Sequence, residues 1–195
     1  MAKKKRTKPG SLARPVRLTR KQLLDGVPGP DGVRIGFAAP GEAGTMTTLL
    51  KAAADDLETG HLEALARGQC GTWLLNALDG ADLGELLVRA AAAGDLQRAA
   101  GELSLPLVAR DSRDQVVGAL LGVPSGTVIS GLARLPGSKQ DVLLSILTYA
   151  KIKAVAVTED ARRHGIGAAL LTGSPLHLGA GPGLTFFHRW LPQEA

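Results

Sequence analysis

A mixed α/β domain, with helices layered against a central sheet in the α+β manner, is the fold class that the sequence predicts. Three observations point to it. Apolar residues alternate at 33–37, and they recur at helical spacing between 45 and 100. Two apolar, β-branched runs at 105–110 and 115–123 flank the turn residues Asp111-Ser112-Arg113-Asp114, the pattern of a β-hairpin. Strand, helices, hairpin, helix, strand and helix then follow in that order.

Residues 1–31 read as a basic, disordered arm. Pro9, Gly10, Pro15, Gly26, Pro28, Gly29 and Pro30 interrupt any long helix, leaving a short one at 19–24 with Thr19 as its N-cap. Pro40-Gly41 ends the strand at 33–37. A helix is expected over 45–59, with Met46, Leu49, Leu50, Ala53 and Leu57 on one face and Gly60 as its C-cap. Helical spacing recurs at 61–66, 72–78 and 83–93, and a further turn or two at 95–100. Asp82 stands at the N-cap of the third of these, with Glu85 in capping-box position. After the hairpin, 127–132 suits a short strand, 141–151 a helix, 152–157 a strand and 164–171 a helix. Beyond Thr172 the chain is dense in Gly and Pro, with short strands expected at 175–178 and 184–191.

Composition narrows the function classes. Aromatic residues are 3% of the 195, so the core rests on Leu, Val, Ile and Ala. The single cysteine, Cys70, can form no internal disulfide, which fits a reducing cytosol. His61, His164, His177 and His188 are scattered without metal-ligand spacing, so no metal is expected. No apolar run approaches the roughly 18 residues of a membrane helix, and no apolar segment follows the basic N-terminus as in a secretory signal. A cytoplasmic protein with no membrane contact is expected.

The formal charge of +5 is unevenly spread. Lys3, Lys4, Lys5, Arg6, Lys8, Arg14, Arg17, Arg20 and Lys21 supply nine bases among residues 1–24, which hold no acid. The rest carries 23 − 9 = 14 bases against 18 acids, a net of −4. Residues 3–21 could therefore hold nucleic acid through weak, non-specific contact, without base stacking, since no aromatic stands there.

One stretch carries chemistry. Ala154-Val155-Ala156-Val157 suits a buried strand, Ala168-Ala169-Leu170-Leu171 suits a helix, and Arg162-Arg163-His164-Gly165-Ile166-Gly167 joins them. The first N–H groups of a helix lack internal partners, and its dipole adds positive character there, so an anion such as pyrophosphate suits the place. Gly165 and Gly167 let phosphate oxygens approach the backbone, and Arg162, Arg163 and His164 add donors and charge. A P-loop is absent. Position 170 is Leu, so the third glycine of a dinucleotide fingerprint is absent too.

The stretch resembles the coenzyme motif of the GNAT superfamily of N-acetyltransferases, Gln/Arg-x-x-Gly-x-Gly/Ala after a strand, here Arg162, Gly165 and Gly167. The resemblance implies a GNAT-like central sheet flanked by helices over residues 32–195, binding acetyl-CoA as co-substrate. It implies that the backbone at Val155, Ala156 and Val157, where the strand splays from its neighbour, bonds the acetyl carbonyl and pantetheine. It implies that the amides of Arg163, His164, Gly165, Ile166, Gly167 and Ala168 hold the pyrophosphate. The reaction implied is direct attack of a primary amine, on a small molecule or a protein, upon the thioester. After this helix the family has a further strand, another helix and two closing strands, roughly 50 or more residues at ordinary lengths. Here 195 − 171 = 24 residues follow Leu171, so the C-terminal part is expected to be incomplete. The family's acid, a tyrosine on that later helix, has no counterpart, because the only tyrosine is Tyr149. No catalytic residue is assigned. An unpaired edge at the motif strand would favour pairing with a second copy as a homodimer. The alternative is a catalytically impaired GNAT-like binding protein whose basic arm docks on nucleic acid or ribosome.

Overall fold

The computed structural model describes residues 19–54, Leu57, 59–125, 149–172 and 185–187. Among them are seven α-helices and six strands. The helices are α1 (Arg20–Asp25), α2 (Ala43–Ala53), α3 (Thr59–Ala66), α4 (Thr72–Leu78), α5 (Leu83–Ala92), α6 (Leu96–Glu102) and α7 (Ile166–Thr172). The strands are β1 (Val27–Pro28), β2 (Arg34–Phe37), β3 (Leu105–Arg110), β4 (Val116–Pro124), β5 (Tyr149–Val157) and β6 (Thr185–Phe187). They form one sheet in the order β1-β2-β3-β4-β5-β6. Neighbours from β1 to β5 are antiparallel, and β6 lies parallel to β5. The mixed α/β class is thereby shown.

The pleat sends alternate side chains to two apolar layers. Ile35, Phe37, Leu105, Leu107, Ala109 and Leu120 face a cluster completed by Leu74, Leu75 and Leu87 and by Ile166 and Leu170 of α7. Val108, Ala119, Leu121, Val123 and Ala154 face the other layer, where Met46, Leu50, Leu62 and Leu65 pack. Each fully buried Leu or Ile contributes about 1.5–3 kcal/mol. One irregularity re-aims β5. Leu121 pairs with Ala154 but Gly122 with Ile152, so Lys153 is an extra residue on β5. A bulge shifts the side-chain period by one. Hence Ile152 packs on the same layer as Val155 and Val157, while Ala154 lies on the other.

Several expectations need correction. Residues 19–31 belong to the packed fold and not to an arm. Thr19 caps α1 in a full capping box with Gln22, Leu23 is buried, and Val27 pairs with Ile35. Two of the nine N-terminal bases are engaged there, Arg20 with Asp79 at 2.6 Å and Lys21 with Asp25. Helix α2 ends at Ala53, short of the expected 59. Leu57 is buried outside the helix, and Gly60 lies inside α3 instead of capping α2. The helix expected over 141–151 fails at its end, because Tyr149, Ala150 and Lys151 are strand, all three paired with β6 and the last two also with β4. Tertiary pairing there overrides the helical period. The remainder of that helix, and the strands expected at 127–132 and 175–178, lie outside the described residues. Of 184–191, only Thr185–Phe187 is described, as β6. Among the described residues no helix is long and apolar enough to cross a membrane.

Candidate functional site

The motif residues meet at one end of the sheet, beside the last residue of β5. Val157 pairs with Gly118, and the Thr158 N–H donates to the Val117 carbonyl at 2.9 Å, carrying the ladder one step past the strand. A 3-10 turn at Glu159–Ala161 follows, closed by the Arg162 N–H donating to the Glu159 carbonyl at 3.1 Å. The Arg162 guanidinium reaches back, its Nε donating to the Val157 carbonyl at 3.3 Å. Arg163 then adopts φ 65 and Gly165 φ 79. A left-handed conformation costs a residue with a Cβ about 1–2 kcal/mol and glycine almost nothing, so Gly165 is the residue the turn requires.

Helix α7 begins one residue later. Its internal ladder opens with the Ala169 N–H donating to the Gly165 carbonyl at 2.9 Å. The N–H groups of Ile166 and Gly167 precede that ladder, and Gly165 has no side chain with which to cap them. The helix is held down by Ile166 and Leu170, each 2% exposed. Their close approach depends on Gly118. A Cβ there would stand 3.2 Å from Ile166 Cγ2 and 3.1 Å from Leu170 Cδ1.

Arg162, Arg163, His164 and Gly165 are exposed, as is Ala168; Gly167 is partly buried and the Ile166 side chain is in the core. The expected helix over 164–171 is Ile166–Thr172, which leaves His164 and Gly165 in the entry loop. A Cβ on Gly167 would meet Val157 Cγ2 at an ordinary 3.6 Å, so that position needs a small residue less strictly than Gly165 does. Val155, Ala156 and Val157 are partly buried. One edge of β5 is paired with β4 from Ala150 to Val157, across the bulge at Lys153. On the other, β6 pairs only with Tyr149, Ala150 and Lys151. From Ile152 onward that second edge has no strand partner among the described residues.

Two residues of the site were missed in the sequence. The 3-10 turn Pro30–Gly32 packs against the loop, with Pro30 3.8 Å from where a Gly165 Cβ would be. Asp31 Oδ2 lies 2.8 Å from His164 Nδ1. No local signal could have found this pairing, because 133 positions separate the partners (164 − 31). The loop therefore pairs His164 with Asp31, while Arg162 and Arg163 are exposed beside them and Glu159 and Asp160 are exposed on the preceding turn.

Other polar clusters serve the frame. Arg110 grips Glu42 through Nε and Nη2, each at 2.6 Å, and donates to the Phe37 carbonyl at 2.8 Å. Buried Glu102 accepts from Thr72 and Arg98, each at 2.7 Å. The Cys70 thiol is pushed up to about 12 by burial, partly offset by Ser104, so it is no nucleophile near neutral pH. Among the described residues no group of three His, Cys, Asp or Glu side chains is placed to hold a metal ion. The chain matches no protein-family model, no curated protein and no solved structure.

Proposed function

We propose that the chain is an acyl-CoA-dependent N-acetyltransferase of the GNAT type, moving an acetyl group from acetyl-CoA to a primary amine. The observation that carries this reading is the exposed cationic loop at 162–165, set between the end of β5 and the start of α7. A diphosphate would lie against the loop amides from Arg163 to Gly167, with Arg162 and Arg163 neutralising its charge. Pantetheine would run along the β5 edge at Val155, Ala156 and Val157, which has no strand partner among the described residues and whose backbone groups can bond its amides as another strand would. The amine nitrogen then attacks the thioester carbonyl. A C–N bond forms, the C–S bond breaks, and the amine proton leaves with the thiolate as the free thiol.

Calorimetry with acetyl-CoA tests the binding step. Saturable binding that Gly165→Glu abolishes is expected, since a carboxylate would stand where the diphosphate lies. Absence of binding at millimolar coenzyme rejects the proposal. A thioester-cleavage assay over a panel of amines tests the chemistry.

The second reading is a GNAT-like binding protein that docks on nucleic acid or ribosome through its N-terminal bases. It is favoured by the seven bases from Lys3 to Arg17, which stand in a segment without an acid. A salt-sensitive RNA shift lost on deleting residues 1–17, with no turnover on any amine, would select it.

A further inference from the structure

We propose that nucleic acid is held by the seven bases from Lys3 to Arg17 alone, through its phosphate backbone and without regard to sequence, and that the packed domain adds no net positive surface to them. This rests on the second reading above and places the boundary of that interface inside the run of nine bases.

The boundary falls where helix α1 begins. Thr19 and Gln22 form the capping box of that helix, which sets Arg20 and Lys21 on folded backbone. Arg20 Nη1 donates to Asp79 Oδ2 at 2.6 Å, at the end of α4, and lies 3.4 Å from Asn76 Oδ1. Lys21 is paired with Asp25 one helical turn on. Each of these two bases is thus matched by a carboxylate, whereas residues 1–17 contain no acid. Beyond Arg17 the chain carries 23 − 7 = 16 bases against 18 acids, a net of −2. Residues 1–17 also contain no aromatic side chain for a base to stack on, which leaves the phosphates as the contact.

The opposing effect is the weakness of exposed ion pairs. The Lys21 side chain is 84% exposed, so a phosphate can reach it. Taking that cation leaves Asp25 unpaired beside the new phosphate, and taking Arg20 does the same to Asp79. Attraction and repulsion then nearly cancel, and neither base adds to the counterions released.

The test is titration of a short labelled duplex DNA of mixed sequence with the full chain, over a series of salt concentrations. The logarithm of affinity falls with the logarithm of salt at roughly −0.9 per neutralised phosphate, so seven bases set a limit of roughly −6 and nine would set roughly −8. Arg20→Gln/Asp79→Asn and Lys21→Gln/Asp25→Asn each remove a cation together with its partner, and should leave affinity and slope unchanged. Arg14→Gln/Arg17→Gln should make the slope shallower by roughly 2. A second duplex of unrelated sequence should bind equally well. The inference alone is overturned by a wild-type slope steeper than roughly −6, by a shallower slope in either paired-charge variant, by an unchanged slope in Arg14→Gln/Arg17→Gln, or by a strong preference between the duplexes. A wild-type protein that binds neither DNA nor RNA at low salt removes the second reading and the inference together.

Discussion

Two turns lie at the same end of the sheet and differ in whether a side chain caps them. The hairpin turn between β3 and β4 satisfies its own donors. Asp111 Oδ1 accepts from the N–H of Arg113 and of Gln115, each at 2.9 Å, and the Asp111 N–H donates to the Gln115 carbonyl at 2.9 Å. The turn between β5 and α7 has glycine where a capping side chain would stand, ahead of the bond from the Ala169 N–H to the Gly165 carbonyl that opens the helix ladder. Each turn contains one residue with a side chain at positive φ, Asp114 at 64 and Arg163 at 65. Backbone strain therefore does not distinguish them. What differs is the source of negative charge. The hairpin supplies its own carboxylate, whereas the entry to α7 carries exposed Arg162, Arg163 and His164, the cations to which the proposed function assigns an external anion.

That contrast can be broken by substitution. The largest effect is expected at Leu170→Ala, which empties the anchor of α7 and should cost about 2–5 kcal/mol in urea unfolding. Acetyl-CoA affinity should fall with it, because the loop loses its platform. Gly118→Val pushes on the same helix from β4 and should cost about 1–3 kcal/mol through overpacking.

Next come the two turns themselves. Gly165→Ala should cost about 1–2 kcal/mol from its left-handed backbone and weaken acetyl-CoA. Asp111→Ala should cost about 1 kcal/mol, as lost caps do, and leave acetyl-CoA binding unchanged. Coenzyme loss in the Asp111 variant would dissolve the distinction between the turns.

The smallest effect near neutral pH is expected at Cys70, remote from both turns. Its folded thiol holds its proton up to about 12, against an ordinary 9.0 when unfolded. The stability this contributes is present below about pH 9.0 and is lost as pH rises toward about 12, because the unfolded thiol ionises first. Thiol-reactive dye should label native protein negligibly at pH 7 and fully after denaturation. Rapid native labelling would show that the site is open.

Legibility varied with the range of the interactions involved. Thr19 and Asp82 were readable as caps because a cap and its amide lie three residues apart, Thr19 with Gln22 and Asp82 with Glu85. Helix α4 matches the expected 72–78, bounded by Gly71 and Asp79. The hairpin followed from its turn residues. Residues 19–31 were misread because their Gly and Pro content resembles a linker, whereas Leu23 and Val27 are secured by contacts with distant strands. Tyr149, Ala150 and Lys151 continue a helical pattern locally and become strand only because β4 and β6 flank them.

The sequence by itself determined the local parts: the alternation that makes strands, the caps and turn residues, and the Arg162-x-x-Gly165-x-Gly167 loop between strand and helix. The tertiary structure alone decided which segments meet. It set the bulge at Lys153, the parallel pairing of β6 with β5 and the contact of Asp31 with His164. The physical reason is distance along the chain. Periodicity and capping act within a few residues, while pairing and packing depend on partners that only the folded backbone brings within reach.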